Sequence, residues 1–162
     1  MRAILLILIA VNLLFGAYTR NATLDTVYDD ETNLTWQDDG NVSINPKKWS
    51  DAIDYCEALD FAGVQDWRLP NFNELYMIAD RSTYGPAMHM DATSGFQNVT
   101  SSYCWSSTTV ASVSYNAWRV YFYNGNDYWY GKTNSFYVRC VRSGQIAPLN
   151  TSLVPTLMYL LD

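Results

Sequence analysis

The side chains best suited to chemistry in this sequence lie near its C-terminus, where tyrosine, tryptophan and asparagine crowd together. Nine of the twenty residues from Trp118 to Tyr137 are aromatic. Tyrosine and tryptophan supply large, rigid contact area, while asparagine, serine and glycine add adaptable hydrogen bonds. Rings of this kind also stack on the apolar faces of sugars, whose hydroxyls bond to amide, carboxylate and guanidinium groups. The segment is therefore typical of a recognition surface for a carbohydrate or a cell-surface protein.

Strand alternation sorts this segment into two sets of side chains. In "AWRVYFY", Trp118, Val120 and Phe122 fall on one face, and the residues between them fall on the other. The first set is apolar enough to fill a core, so we expect the second to contact a partner; packing in the core or in an oligomer interface is the competing interpretation. The predicted ligand-contacting residues are Tyr115, Asn116, Arg119, Tyr121, Tyr123, Asn126, Asp127, Tyr128, Tyr130 and Asn134.

Catalytic and metal-binding patterns are not recognisable. His89 is the single histidine, whereas a zinc site gathers several ligands and a hydrolytic site needs a base beside its nucleophile. Carboxylates cluster in "YDDET", "QDD" and "NGND", but without the spacing of a calcium-binding helical hairpin. We therefore predict a protein that is not an enzyme and has no metal site or cofactor, with calcium as the one open possibility.

The three cysteines predict one disulfide and one spare thiol. Cys56 lies on the apolar face of a predicted helix, and Cys140 lies on the inward face of a predicted final strand. We expect these two to pair, which leaves Cys104 unpaired. Closing so long a loop stabilises a fold by roughly 4 kcal/mol in the chain-entropy model.

The N-terminal seventeen residues differ from the remainder. Arg2 precedes the apolar stretch "AILLILIAVNLLFGA", which is typical of a secretory signal peptide over residues 1–17 and short for a stable membrane span. Export predicts a secreted or cell-surface protein, an environment in which disulfides persist. Losing Arg2 would change the formal net charge from −6 to −7. Because such a surface repels phosphate backbones, nucleic acid is not expected as a partner.

The remaining chain divides into a polar lead (18–33), one domain (34–142) and a C-terminal tail (143–162). "WSDAIDYCEALDFAG" predicts a helix with Ser50 as N-cap and Gly63 at its end, and "LPNFNELYMIADRS" predicts a second with a capping box. "YCWSSTT", "AWRVYFY" and "SFYVRCVR" predict strands, and "NGND" predicts a hairpin turn. The fold class is α+β, with two helices packed on a twisted, mainly antiparallel sheet and long loops.

Several motifs in this order resemble a known family. "LTWQDD", "WSDAIDYCEAL", "DWRLPNFNEL", "FQNV", "CWSSTT", "AWRVYFYNG" and "FYVRCVR" are together similar to the DUF1566, or Lcl C-terminal, domain family over roughly Leu34 to Arg142. The resemblance implies an exported bacterial protein with a compact fold similar to C-type lectins. It also implies a disulfide from the first helix to the last strand, matching Cys56 and Cys140, and a tyrosine where this chain has Cys104.

Three functions follow from these observations. We favour a secreted or surface-held, lectin-like binding module with an adhesin's role. The resemblance to family members that a retroelement diversifies adds the hypothesis that the aromatic segment of this chain is diversified in the same way. The alternative is a structural or self-assembling protein that uses the aromatic face as a homo-oligomer interface. An enzyme similar to the formylglycine-generating enzymes is disfavoured, because that chemistry uses two reactive cysteines and one is left here after the disulfide forms.

Overall fold

The computed structural model describes residues 18–90 and 95–146. The predicted signal peptide and most of the predicted tail, from residue 147 onward, lie outside the described residues. Two helices are present, α1 (Trp49–Glu57) and α2 (Phe72–Met77), with a short 3₁₀ helix at Gly40–Ser43. The strands are β1 (Tyr18–Asn21), β2 (Thr26–Asp29), β3 (Leu34–Gln37), β4 (Tyr103–Thr109), β5 (Asn116–Tyr121), β6 (Asn126–Gly131) and β7 (Val141–Ser143).

The strands form two antiparallel sheets. One has the order β1-β2-β3-β7, and the other has the order β4-β5-β6. The predicted α+β class with two helices and antiparallel strands is thus confirmed, although the strands divide between two sheets. Neither helix in the described part of the chain has the length and hydropathy to cross a bilayer.

Residues 18–33, expected as a polar lead, belong to the folded domain. They form β1 and β2, which pair with each other and with β3. Val27 is fully buried opposite Trp36, and the Arg20 guanidinium forms an ion pair with the buried Asp38 carboxylate. These strands have four residues each, too few for alternation to reveal them beside so many polar side chains.

The two helices differ in how closely they follow prediction. The α2 capping box is confirmed, because Asn71 Oδ1 accepts from Glu74 N–H at 2.9 Å and Glu74 Oε2 accepts from Asn71 N–H at 2.8 Å. Ser50 is not the N-cap of α1: Lys48 holds that position without a side-chain bond. The helix also ends before Gly63, since a tight turn pairs Phe61 with Val64 and draws the chain away.

The predicted disulfide is confirmed. Cys56 on α1 is bonded to Cys140, with the two Cα atoms 5.5 Å apart. It lies in a core cluster with Trp67, Leu69 and Trp105, while a second cluster packs α2 against both sheets. Cys104 is unpaired and buried, and burial raises the pKa of its thiol to about 12.

The final strand is shorter than predicted. Regular pairing begins only at Val141, and residues 136–140 instead run between the two sheets. Phe136 bridges to Lys47, Tyr137 bridges to Cys104 on β4, and the Cys140 carbonyl accepts from Gln37 N–H on β3 at 3.0 Å. This segment therefore fixes the β4–β5–β6 sheet relative to the disulfide.

Candidate functional site

One face of the β4–β5–β6 sheet carries a group of neighbouring rings. Residues directly opposite one another on antiparallel strands share a face. The register places these pairs opposite: Tyr103 and Tyr121, Arg119 and Tyr128, Ala117 and Tyr130. We use the name aromatic surface for this group together with the rings that touch it, namely Tyr84, Tyr103, Tyr121, Tyr123, Tyr128, Tyr130 and Phe136.

The rings of the aromatic surface contact one another in favourable geometries. Tyr103 and Tyr121 stack with centroids 4.2 Å apart, and Tyr123 stacks on Tyr121 at 5.7 Å. Tyr128 meets Tyr103 edge-on at 5.7 Å. These contacts hold the rings in place while Tyr123 and Tyr128 remain 49% and 39% exposed.

A loop segment adds Tyr84 to this surface. Gly85 N–H donates to the Tyr123 carbonyl at 2.9 Å, and Ala87 N–H donates to the Phe122 carbonyl at 2.7 Å. Gly85 has φ of +56°, and a Cβ there would lie 3.3 Å from the Tyr123 ring. Glycine therefore permits the close approach that sets Tyr84, 72% exposed, beside Tyr123.

Arg119 lies beneath these rings. Its guanidinium carbon is 3.6 Å from the centroid of Tyr103, 4.2 Å from that of Phe136 and 4.6 Å from that of Tyr130. The residue is only 7% exposed, and its Nε is buried without a hydrogen-bond partner. Burial lowers the pKa of the guanidinium, an effect that the neighbouring tyrosines partly oppose. The cation is thus held by ring faces.

With this geometry established, the chain can be compared with known families. The model of the Lcl C-terminal domain matches residues 25–142, which is most of the chain. The chain belongs to the Lcl C-terminal domain family. The match begins at Asp25, before the boundary predicted at Leu34, and so takes in β2. No curated protein matches the sequence.

Most predicted contact residues of this Lcl C-terminal domain lie at the surface. Tyr121 is half-buried, and the exposed members are Tyr115, Tyr123, Asn126, Asp127, Tyr128, Tyr130 and Asn134. They do not form one site. Asn126, Tyr128 and Tyr130 share the face of the aromatic surface, whereas Asp127 points to the other side of β6.

Tyr115 and Asn134 lie at one end of β6. Tyr115 accepts from Lys132 N–H at 3.0 Å through its carbonyl, and the Asn134 side chain donates to the Gly131 carbonyl at 3.1 Å. Tyr115 is 73% exposed, so its ring is free at the margin of the sheet. These two positions are at most peripheral to the aromatic surface.

Two predicted contact residues require correction, because the structure buries them. Asn116 is 6% exposed, covered where the chain passes from Gly131 to Asn134. Arg119 does lie on the outward strand face, but Tyr103 and Phe136 cover it. Both coverings come from other segments, so alternation within one strand could not reveal them. The expected exposure of these two residues is therefore corrected, while their contact with a ligand stays a prediction.

Four aromatic residues of interest were missed. Tyr103 begins β4 and Phe136 precedes the last strand, so their place in the surface depends on long-range pairing. Tyr84 comes from a loop without periodicity. Trp129 is 52% exposed on the other face of β6, opposite Trp118. Because successive strand residues face opposite sides of a sheet, its place next to Tyr128 predicts that face.

The single histidine and the turn carboxylate Asp29 contact neighbouring residues of the domain. His89 Nδ1 lies 4.0 Å from Asp80 Oδ2 near the surface, and its ring lies 5.3 Å from that of Tyr18. Asp29 accepts from Glu31 N–H at 3.1 Å and from the Thr32 hydroxyl at 2.7 Å, as turn carboxylates do. Within residues 18–90 and 95–146, no cluster of three or more His, Cys, Asp or Glu is arranged to hold a metal.

Proposed function

We propose that this domain is an exported binding module whose aromatic surface recognises a carbohydrate or a cell-surface protein. The observation that carries the proposal is the contrast within one sheet. On one side Val120 and Cys104 fill a core cluster. On the other side Trp105 and Ala117 pack in the cluster around the disulfide, and Tyr123, Tyr128 and Tyr130 remain exposed beside them. Large rigid rings that remain exposed after the core is complete are typical of recognition surfaces.

Export is supported by two features. The Lcl C-terminal family and the Cys56–Cys140 disulfide are both compatible with an extracellular protein, since disulfides persist in oxidising environments. The apolar segment after Arg2 would supply the signal for export. Secretion and cleavage of the leader are tested by N-terminal sequencing of protein recovered from the medium or the cell surface.

We propose that the domain acts by binding and carries no catalytic activity. The chemistry of formylglycine-generating enzymes uses two reactive cysteines, whereas this chain has one free thiol, Cys104, once the disulfide has formed. Burial raises the pKa of Cys104, which keeps its thiol protonated. An assay for oxidation of cysteine-containing peptides tests this, and turnover that depends on Cys104 would contradict it.

The main experiment is a screen of the folded domain against glycan and cell-surface protein arrays, with and without calcium. Two variants on the same strand provide a matched pair. Tyr128→Ala removes a ring of the aromatic surface, whereas Trp129→Ala removes an exposed ring from the opposite face. We expect Tyr128→Ala to weaken binding by about 1–2 kcal/mol and Trp129→Ala to leave it nearly unchanged. Equal losses in both variants would place the binding site elsewhere.

A specific observation supports self-assembly as the second candidate. Strand β6 is the outer strand of its sheet, and residues 126–130 are all exposed. An open strand edge is a template for pairing with another chain. Sedimentation over a hundredfold concentration range distinguishes the candidates, because a monomer at every concentration leaves the aromatic surface available to a different partner.

We also propose, from the family resemblance, that the exposed positions within residues 115–135 tolerate diversification. Most side chains in the β6 strand are exposed, so substitutions there would change the surface without disturbing the core. A template repeat and a reverse transcriptase gene beside this one would support the idea, and their absence from the genomic neighbourhood would contradict it.

A further inference from the structure

We propose that an apolar groove beside the disulfide binds the distal tail of the same chain, residues 147–162, with Leu149 as the first side chain to enter it. None of the residues that line this groove belongs to the aromatic surface. The proposal therefore goes beyond the proposed function and does not depend on it.

The groove has a volume of about 410 Å³ and lies where two turns meet the end of β7. Leu24 comes from the turn between β1 and β2, Ala62 and Val64 come from the tight turn after α1, and Arg142 and Ile146 complete the lining. The four apolar residues are only partly buried, although three of them also pack against the core cluster that holds the disulfide. The groove is therefore an apolar surface that another segment would cover favourably.

The described chain is fastened where it enters the groove. Gly144 has φ of +75°, which turns the chain after β7. Its N–H donates to the Asn33 carbonyl at 2.8 Å, and its own carbonyl accepts from the Thr35 hydroxyl at 2.7 Å and from the Arg142 guanidinium at 2.9 Å. Ile146 follows two residues later and packs against the disulfide cluster. The distal tail therefore begins at the groove itself.

The composition of the distal tail suits an apolar groove. Nine of its sixteen residues are of apolar types, counting alanine and tyrosine, and Asp162 is its only charged residue. Leu149 follows Ile146 by three residues, a distance of at most about 10 Å along the chain. Pro148 favours an extended backbone at Ala147 over a helix. Leu149 can thus reach the groove directly from the position that Ile146 fixes.

A tethered segment has an advantage over a free molecule at this groove. The short connection from Ile146 gives the distal tail an effective concentration in the millimolar range. A second copy of the chain at micromolar concentration would have to bind about a thousandfold more tightly to displace it. The occupant is therefore the chain's own tail and not the tail of a second molecule.

The first test uses the chain through Asp162 and follows the amide NMR signals of the groove. Leu149→Gln should shift the signals of Leu24 and Val64, because the groove loses the leucine side chain that fills it. Thr151→Gln is the matched control in the same tail and should leave both signals unchanged. Signals of Leu24 and Val64 that are the same in Leu149→Gln as in the parent would overturn the proposal.

The second test asks whether the distal tail binds the groove when it is a separate peptide. A chain that ends at Ile146 keeps every described helix and strand, and a synthetic peptide of residues 147–162 is titrated into it by calorimetry. We expect a Kd of about 0.1 mM or tighter, and binding at least about tenfold weaker to the chain through Asp162, whose own tail competes at millimolar effective concentration. Equal binding to both chains, or binding to neither, would overturn the proposal.

Two leucine-sized residues replaced by glutamine locate the binding site of the peptide. Leu24→Gln, in the chain that ends at Ile146, should weaken peptide binding at least about tenfold, the loss expected for one buried apolar side chain. Ile44→Gln is the matched control, because Ile44 is 63% exposed and lies outside the groove. Equal binding by the two variants, once circular dichroism shows that both are folded, would overturn the assignment of the groove. If Leu24→Gln does not fold, the comparison of the two chain lengths decides.

Sedimentation distinguishes docking within one molecule from exchange between two. We expect the chain through Asp162 and its Leu149→Gln variant to have the same mass at every concentration. Association that is present in the parent and lost in Leu149→Gln would assign the tail to the groove of a second copy, and this outcome would overturn the proposal.

Discussion

Two arginines of low solvent exposure have opposite surroundings in this domain. The Arg139 guanidinium donates to the Gln37 carbonyl at 2.7 Å, to the Asp38 carboxylate at 2.8 Å and to the Asn98 carbonyl. Arg119, by contrast, meets only rings. Low exposure alone therefore does not separate an arginine that joins segments of the framework from one that is held by ring faces, whereas the set of hydrogen-bond partners does.

The framework arginine belongs to a network centred on Asp38. That carboxylate also accepts from Arg20 and from the backbone N–H groups of Gln97 and Asn98, at 2.9 and 3.2 Å. The network joins β1, β3, the long loop before β4 and the segment before β7. Burial lowers the pKa of Arg139 to about 10, which still leaves the guanidinium charged at neutral pH. Asp38 thus compensates two buried arginines, and removing either arginine leaves the other as its ion-pair partner.

The largest effect is expected from Arg139→Met. This change removes one of the two guanidinium partners of the buried Asp38 carboxylate and the donor to the Gln37 and Asn98 carbonyls, and such losses destabilise proteins by about 3–5 kcal/mol. Urea denaturation followed by circular dichroism measures the change in the free energy of unfolding. Arg142→Met is the control, because Arg142 pairs with the exposed Asp66 and should contribute less than about 1 kcal/mol. Equal destabilisation by the two substitutions would mean that the buried Asp38 network contributes no more to stability than the surface ion pair of Arg142 and Asp66.

Loss of the disulfide is expected to have the next largest effect. The Cys56→Ala and Cys140→Ala double variant releases a crosslink between residues 84 positions apart, which should destabilise by about 2–4 kcal/mol. Cys104→Ala removes a buried thiol without a crosslink, so about 1 kcal/mol is expected. Thermal denaturation of both proteins compares them. A double variant as stable as the parent would mean that the Asp38 network alone holds the two sheets together.

Arg119→Met should change stability by less than about 1 kcal/mol. The substitution leaves no carboxylate unpaired and keeps an apolar stem against the rings of Tyr103 and Phe136. The same urea experiment used for Arg139→Met provides the comparison, with the two variants analysed side by side. If Arg119→Met proved as destabilising as Arg139→Met, Arg119 would have to be assigned to the framework.

Local sequence patterns predicted the framework of the domain better than they predicted the aromatic surface. The capping box of α2, the partners of the disulfide and the β5–β6 hairpin each depend on residues close in sequence or on strong apolar periodicity. The covering of Arg119 depends instead on Tyr103 and Phe136, which reach it through pairing between distant segments. No period within one strand encodes that pairing, and so alternation placed Arg119 on the correct face but at the wrong depth.

The smallest change in stability is expected for Tyr128→Ala, and labelling of the buried Cys104 thiol compares this variant with Arg139→Met without any ligand. Cys104 is 3% exposed and burial raises its pKa to about 12, so labelling at about pH 8 requires the protein to open. A loss of 3–5 kcal/mol multiplies the open population by about a hundred to several thousand, which Arg139→Met should show as faster labelling. Tyr128→Ala should leave the rate within about fivefold of the parent, because its ring, 39% exposed, packs at the surface. Rapid labelling in Tyr128→Ala would mean that the ring stabilises the core, and the aromatic surface would then have a structural role in addition to recognition.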